Sequence, residues 1–89
     1  MLYAVICRDK PGHLETRVTN RAAHLAYIDA TGIVKMAGPF LENGQMCGSL
    51  VILEADGLDA ANSWVAADPY GKAGLFETVS VTEWKKVVG

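Results

Sequence analysis

Leu2-Tyr3-Ala4-Val5-Ile6-Cys7 and Ser49-Leu50-Val51-Ile52-Leu53-Glu54 are the two stretches whose reading decides the fold. Both are short, apolar and rich in β-branched residues, which is the pattern of a strand. Neither alternates polar with apolar side chains, so each is expected to be apolar on both of its faces. A strand of an antiparallel sheet that met water on one face would alternate. Both faces of this sheet therefore need cover.

Working outward from the first stretch, Asp9-Lys10-Pro11-Gly12 breaks the strand. From His13 to Thr31 the spacing turns helical. Leu14, Val18, Ala22, Leu25 and Ile28 recur at intervals of three and four, and Gly32 supplies the stop. Ile33–Met36 is extended and is expected to end at Gly38-Pro39. Asn43-Gly44 is a hairpin signal leading into the second stretch. A second helix is expected from Asp56-Gly57, with Leu58, Ala61, Trp64 and Val65 as its apolar stripe. Its expected end is Asp68-Pro69, because a residue before proline is pushed out of the α region. Phe76–Trp84 reads as the last strand. The order β-α-β-β-α-β predicts an α+β fold, a ferredoxin-like βαββαβ sandwich with both helices on one face of the sheet. Two helices cannot cover two faces. A second copy packed sheet to sheet does, so a homodimer through the sheet faces is expected.

The 89 residues fit a single domain spanning 1–89, with no repeat, linker or low-complexity segment. A chain of this size buries only about 60% of the surface its unfolded form exposes, so association would help it. Eight basic against ten acidic residues give a net charge of −2. That argues against a nucleic-acid module, which carries a basic face. The apolar runs fall far below the roughly 18 residues of a membrane span, and no basic leader precedes the first strand. A cytoplasmic protein with no membrane partner is expected. Cys7 and Cys47 stand forty positions apart without C-x-x-C or histidines at ligand spacing. They read as two buried thiols rather than as metal ligands or a disulfide.

On a helical wheel, Leu14, Val18, Leu25 and Ile28 share the expected core-facing arc, with Arg21 inside it. Arg17 and His24, seven apart, stack at one border. From a border a side chain reaches a cleft while its backbone stays held. Histidine also has the pKa range suited to proton transfer near neutrality. By spacing alone His24 is either such a base or a surface histidine with one local hydrogen bond. Asp68 is either its partner or simple helix-end punctuation. His13 reads as an exposed helix-start residue.

In sequence order, Leu2-Tyr3 with Asp9-Lys10, Arg17 and Arg21 followed by Ala23-His24-Leu25, and Ala37-Gly38-Pro39 make up the first half of a recognisable set. Gly48-Ser49, Ala67-Asp68-Pro69-Tyr70, Val79-Ser80-Val81 and Lys85-Lys86 complete it. Together they resemble the YciI-like (YCII-related) family, whose members are dimeric ferredoxin-like α+β barrels. Two departures are Ala22, where many relatives have proline, and a short hairpin loop after Pro39. The resemblance implies a helix histidine and an aspartate as an active-site pair, here His24 and Asp68. Asp9, Arg17, Arg21, Ser49 and Tyr70 fall inside the resembling segments as the expected substrate contacts.

No dinucleotide fingerprint, phosphate loop or metal-ligand spacing accompanies these residues. The expected chemistry is one that protons alone drive, without a cofactor or metal. The reading is a small acid–base enzyme on a cyclic or aromatic metabolite. A lyase fits best, such as the dehydrochlorinase of a chlorinated hydroxyhydroquinone associated with the family. The alternative is a non-catalytic dimeric module that binds a small ligand or serves a larger enzyme.

Overall fold

A computed structural model describes Met1–Gly89. The chain runs β1 (Leu2–Asp9), α1 (Leu14–Thr31), β2 (Val34–Glu42), β3 (Gln45–Glu54), α2 (Leu58–Ala66), α3 (Pro69–Lys72) and β4 (Phe76–Trp84). The four strands form one antiparallel sheet in the order β2-β3-β1-β4. This is the ferredoxin-like α+β arrangement expected from the sequence, with one helix more.

The two deciding strands lie side by side at the centre of the sheet. In register, Tyr3 faces Leu53, Val5 faces Val51 and Cys7 faces Ser49. Residues opposite each other project to the same side of a sheet. These six side chains form the helix-covered face, where Tyr3, Val5, Cys7, Val51 and Leu53 join Ala61 and Trp64 of α2 in the core. Ala4, Ile6, Leu50 and Ile52 project from the other face. Met36 of β2 and Trp84 of β4 lie level with them. No element of the chain covers that face, and Ile6, Met36 and Trp84 are exposed on it. Both strands are thus apolar on both sides, as the missing alternation requires.

Three boundaries differ from the sequence expectation. β2 does not stop at Gly38-Pro39 but runs through Pro39 to Glu42. It pairs with β3 alone, and proline is tolerated on an edge strand because no ladder partner waits for its missing N–H. β3 accordingly begins at Gln45, and the hairpin closes in two residues, Asn43 and Gly44, with φ of 51° and 78°. The left-handed pair is what a type I′ turn demands. Third, Asp68-Pro69 does not merely end a helix. It starts α3, with Asp68 as N-cap and Pro69 in the first turn. A side-chain acceptor followed by proline is a helix-start signature, and it overrode the stop reading.

The larger correction is the face of α1. Its buried residues are Arg17 and His24, while Leu14, Val18 and Leu25 are exposed and, of the expected arc, Ile28 packs against the core. The helix is rotated from the apolar expectation because both polar side chains find complete partners beneath it. Burying a charged group is tolerated only when it is paired and hydrogen-bonded. Tyr27 Oη donates to the Trp64 carbonyl at 2.7 Å and Trp64 Nε1 donates to Thr31 Oγ1 at 2.9 Å, which ties the end of α1 to α2. The cysteines also divide. Cys7 is buried, whereas Cys47 is only half-buried because it sits near the hairpin end of β3, its thiol directed at the Phe40 carbonyl.

Candidate active site

The polar face of α1 meets three different elements. Arg17 grips Asp9, at the end of β1, with Nε to Oδ2 at 2.7 Å and Nη2 to Oδ1 at 2.8 Å. The side chains are 3% and 7% exposed, so this is a two-bond ion pair inside the protein rather than a surface contact. Nη2 also donates to Ser49 Oγ of β3 at 2.9 Å. Two turns along the helix, His24 Nδ1 lies 2.8 Å from Asp68 Oδ1. The same oxygen accepts the Tyr70 backbone N–H at 3.0 Å, which is the cap of α3. The cap therefore fixes the carboxylate, and the carboxylate fixes the imidazole.

That contact decides the imidazole's state of protonation at one nitrogen. An ionised carboxylate only accepts hydrogen bonds, so Nδ1 carries the hydrogen. Nε2 takes no part in this contact. Tyr70 completes the arrangement from α3. Its ring stacks on the imidazole at 3.9 Å between centroids and 16° between planes. The Arg17 guanidinium lies 4.7 Å from the same ring's centroid. The tyrosine is thus held between the imidazole and the guanidinium of α1, with Phe76 edge-on at 6.1 Å.

Burial and fixed charges tune these groups. Burial pushes the Tyr70 phenol above its ordinary value, against the pull of Arg17 and Arg21 and with a small push from Asp68. For Arg17, burial acts against the charge, but the hydrogen bond and charge of Asp9, joined by Tyr70, together offset it and the net direction is up. Cys7 lies beneath the site. Burial and the Asp68 charge push its thiol up to about 12, so it stays protonated and unreactive at neutral pH.

A cleft of about 170 Å³ opens between α1 and the β2–β3 hairpin. Arg17, Arg21, His24, Ser49 and Tyr70 give it polar groups; Leu25, Ile28, Pro39, Met46 and Val51 give it apolar walls. Its volume is close to the roughly 150 Å³ that accommodates benzene in an engineered cavity. Of the seven residues expected at a site, five line this cleft. Asp9 and Asp68 stand one layer behind it, each holding a wall residue in place. The wall contributed by Ala37, Gly38, Pro39 and Met46 was not anticipated. No three His, Cys, Asp or Glu side chains converge as a metal would need.

The YCII-related domain model matches residues 1–85. The chain belongs to the YCII-related family. Protein YciI of Escherichia coli O6:H1 is 40% identical over 97 aligned residues, covering 98% of this chain and 99% of that one. An uncharacterised protein of Haemophilus influenzae is 37% identical over the same span. Among solved structures, this YCII-related chain is similar to 5-chloro-2-hydroxyhydroquinone dehydrochlorinase from Burkholderia phenoliruptrix, in complex with 2,5-dihydroxybenzoquinone. The TM-score is 0.90 and the identity 40%, over 96% of this chain and 94% of that one. An antibiotic biosynthesis monooxygenase at 12% identity and a TM-score of 0.58 shares the fold alone. No helix is long and apolar enough to cross a membrane.

Proposed function

We propose that this chain is a cofactor-independent lyase of small ring compounds, acting by proton transfer through His24. The observation that carries the reading is the 2.8 Å contact of His24 Nδ1, on the wall of a one-ring cleft, with a buried, capped carboxylate one layer behind that wall. Asp68 orients the imidazole and faces the imidazolium that forms. Nε2 takes a hydroxyl proton from the ring, a positioned base of this kind contributing about 10²–10⁴-fold. The ring electrons then accept a proton at the carbon bearing the leaving group. Loss of a second hydroxyl proton to the base expels the leaving group as an anion, with the bonding pair. For a chlorinated ring the net change is loss of one proton and one chloride, without an oxidant or reductant. Arg17 and Ser49 face the oxygen where negative charge develops, and Tyr70 forms the floor beneath the imidazole. The similarity to the dehydrochlorinase supports this reaction class and this ring class.

The working form is a single domain over residues 1–89, cytoplasmic, paired as a homodimer through the uncovered sheet face. Ile6, Met36 and Trp84 are apolar and exposed there, and a second copy buries all of them at once.

The test offers 5-chloro-2-hydroxyhydroquinone to the purified protein and follows chloride release. His24→Ala is expected to lower turnover by about 10²–10⁴-fold, and because it also strips buried Asp68 of its partner, turnover is compared at a temperature where circular dichroism shows the variant folded. Asp68→Asn keeps the shape but supplies a neutral partner; turnover falls and the acidic limb of the rate profile moves to lower pH, since the imidazolium loses the anion facing it. Wild-type turnover in His24→Ala overturns the assignment. Ligand binding with no turnover of any ring substrate favours the alternative, a dimeric binding module.

A further inference from the structure

His24 needs more than Asp68 to hold a fixed direction. Its Nδ1 is tied to Asp68 Oδ1 at 2.8 Å, but the χ2 torsion of a histidine lies in a broad, roughly two-fold well. One hydrogen bond at one nitrogen leaves a range of ring planes open, and Nε2 moves across the cleft with them. Tyr70 removes that freedom. Its ring lies 3.9 Å from the imidazole between centroids and 16° from parallel, closer than the roughly 4.5–7 Å of most aromatic pairs. A tilt of the imidazole drives one of its edges into the tyrosine. The tyrosine is itself fixed: it is 2% exposed, with Phe76 edge-on and the Arg17 guanidinium against its ring. Arg17 in turn is held by Asp9 and Ser49. Arg17 and His24 stand about 10.5 Å apart along the helix axis, and the tyrosine ring fills the space between their side chains. The same residue reaches the other member of the pair. Its backbone N–H donates at 3.0 Å to Asp68 Oδ1, the oxygen that His24 contacts.

We infer that Tyr70 is the positioning residue of the His24–Asp68 pair: its backbone N–H holds the carboxylate, and its ring face holds the plane of the imidazole before a substrate enters. The inference rests on the proton-transfer reading and deepens it by naming what sets the direction of the base. A working site holds its groups to within about 10–20°, and a misplacement of about 1 Å costs about 10²-fold. The role belongs to the ring face and not to the hydroxyl. Burial raises the Tyr70 phenol, so at neutral pH it keeps its proton and is no second base. Every residue but proline supplies a backbone N–H at position 70. The ring is therefore the part that substitution isolates.

The experiment compares Tyr70→Phe with Tyr70→Leu in the full chain. Both keep the backbone N–H, and only the first keeps the ring. Each is assayed at a temperature where circular dichroism shows it folded. If Tyr70→Leu does not fold, Tyr70→Met takes its place, filling the volume with an unbranched chain that has no ring plane. With 5-chloro-2-hydroxyhydroquinone as substrate, kcat for chloride release is expected to fall about 10–100-fold in Tyr70→Leu, with KM little changed. Tyr70→Phe recovers most of the loss. A second readout needs no substrate. In ligand-free protein carrying ring-¹⁵N histidine, NMR follows the Nδ1 proton of His24, which exchanges slowly with water in wild type and Tyr70→Phe and faster in Tyr70→Leu. The inference is overturned if Tyr70→Leu keeps the wild-type kcat, or if its loss falls on KM alone. It is also overturned if Tyr70→Phe loses as much as Tyr70→Leu, which gives the role to the hydroxyl, or if the Nδ1 proton exchanges alike in all three proteins. The two readings fail separately. An exchange difference in a wild-type protein that turns over no ring substrate removes the lyase reading and keeps the positioning role; turnover that is equal in all three proteins does the reverse.

Discussion

Removing the Asp9 carboxylate charge is expected to be among the most damaging single changes this chain can suffer. Asp9→Asn is nearly isosteric, so the effect is electrostatic rather than one of volume. It leaves the Arg17 guanidinium, 3% exposed at its side chain, facing an amide that supplies one acceptor where two stood. Breaking a buried pair by deleting one partner costs about 3–5 kcal/mol, because the surviving charge stays buried and uncompensated. A chain of 89 residues has a total stability of about 4–13 kcal/mol. The variant is therefore close to unfolding at room temperature, or keeps a small margin. In a thermal melt each kcal/mol lowers Tm by about 4–8 °C for a domain of this size, so a fall of at least about 12 °C is expected. Urea titration followed by the fluorescence of buried Trp64 measures the same loss without heating. Replacing both partners by apolar residues, Asp9→Leu with Arg17→Met, removes the stranded charge; the double variant should recover a large part of what Asp9→Asn loses. A loss below about 1 kcal/mol in Asp9→Asn would place the pair among ordinary surface ion pairs and refute the reasoning.

Alkaline stability follows from Cys7. Its thiol is pushed from 9.0 to about 12 in the fold, so the folded chain holds that proton more tightly than the unfolded one. The stability this represents is complete below pH 9 and is lost as pH rises towards 12. At about 1.4 kcal/mol per tenfold weakening of ionisation, the loss reaches about 4 kcal/mol. Tyr70 acts in the same direction, since burial also raises its phenol. Urea midpoints between pH 8 and 11 check this, and a Cys7→Ala variant with an equally steep alkaline fall would contradict it. In the folded protein a thiol reagent should label half-buried Cys47 well before buried Cys7; equal rates would show that the core around Cys7 opens freely. Light scattering should report a dimer at micromolar concentration, converted to monomer by Ile6→Glu on the uncovered face; a wild-type monomer would refute pairing through the sheets.

Much of the site was legible because its parts are local signals. Asp68-Pro69 marks a helix boundary whichever direction it is read in, and Asp9 closes a strand before Pro11-Gly12. The seven-residue spacing of Arg17 and His24 puts them on one stripe of a helix whatever that helix packs against. What the residues do to each other was not local. Arg17 is 32 positions from Ser49 and His24 is 44 from Asp68. Hydrophobic periodicity then pointed α1 the wrong way, since it ranks Leu14, Val18 and Leu25 as more burial-prone than an arginine and a histidine. That ranking holds for unpartnered side chains only.

Sequence by itself determined the order of the four strands and the two longer helices, the hairpin signal at Asn43-Gly44 and the two-sided apolar character of β1 and β3. Each follows from propensities and periods that act within a few residues, and these survive in almost any surroundings. Tertiary structure alone decided the rotation of α1, the reuse of Asp68 as both helix cap and imidazole partner, and the stacking of Tyr70 on His24. The physical reason is the cost of burying charge. It is prohibitive without a partner and tolerable with one, and a partner supplied from another strand or helix exists only once the chain has folded. The face of α1 carrying arginine and histidine became the inner face because β1, β3 and the start of α3 bring Asp9, Ser49 and Asp68 beneath it.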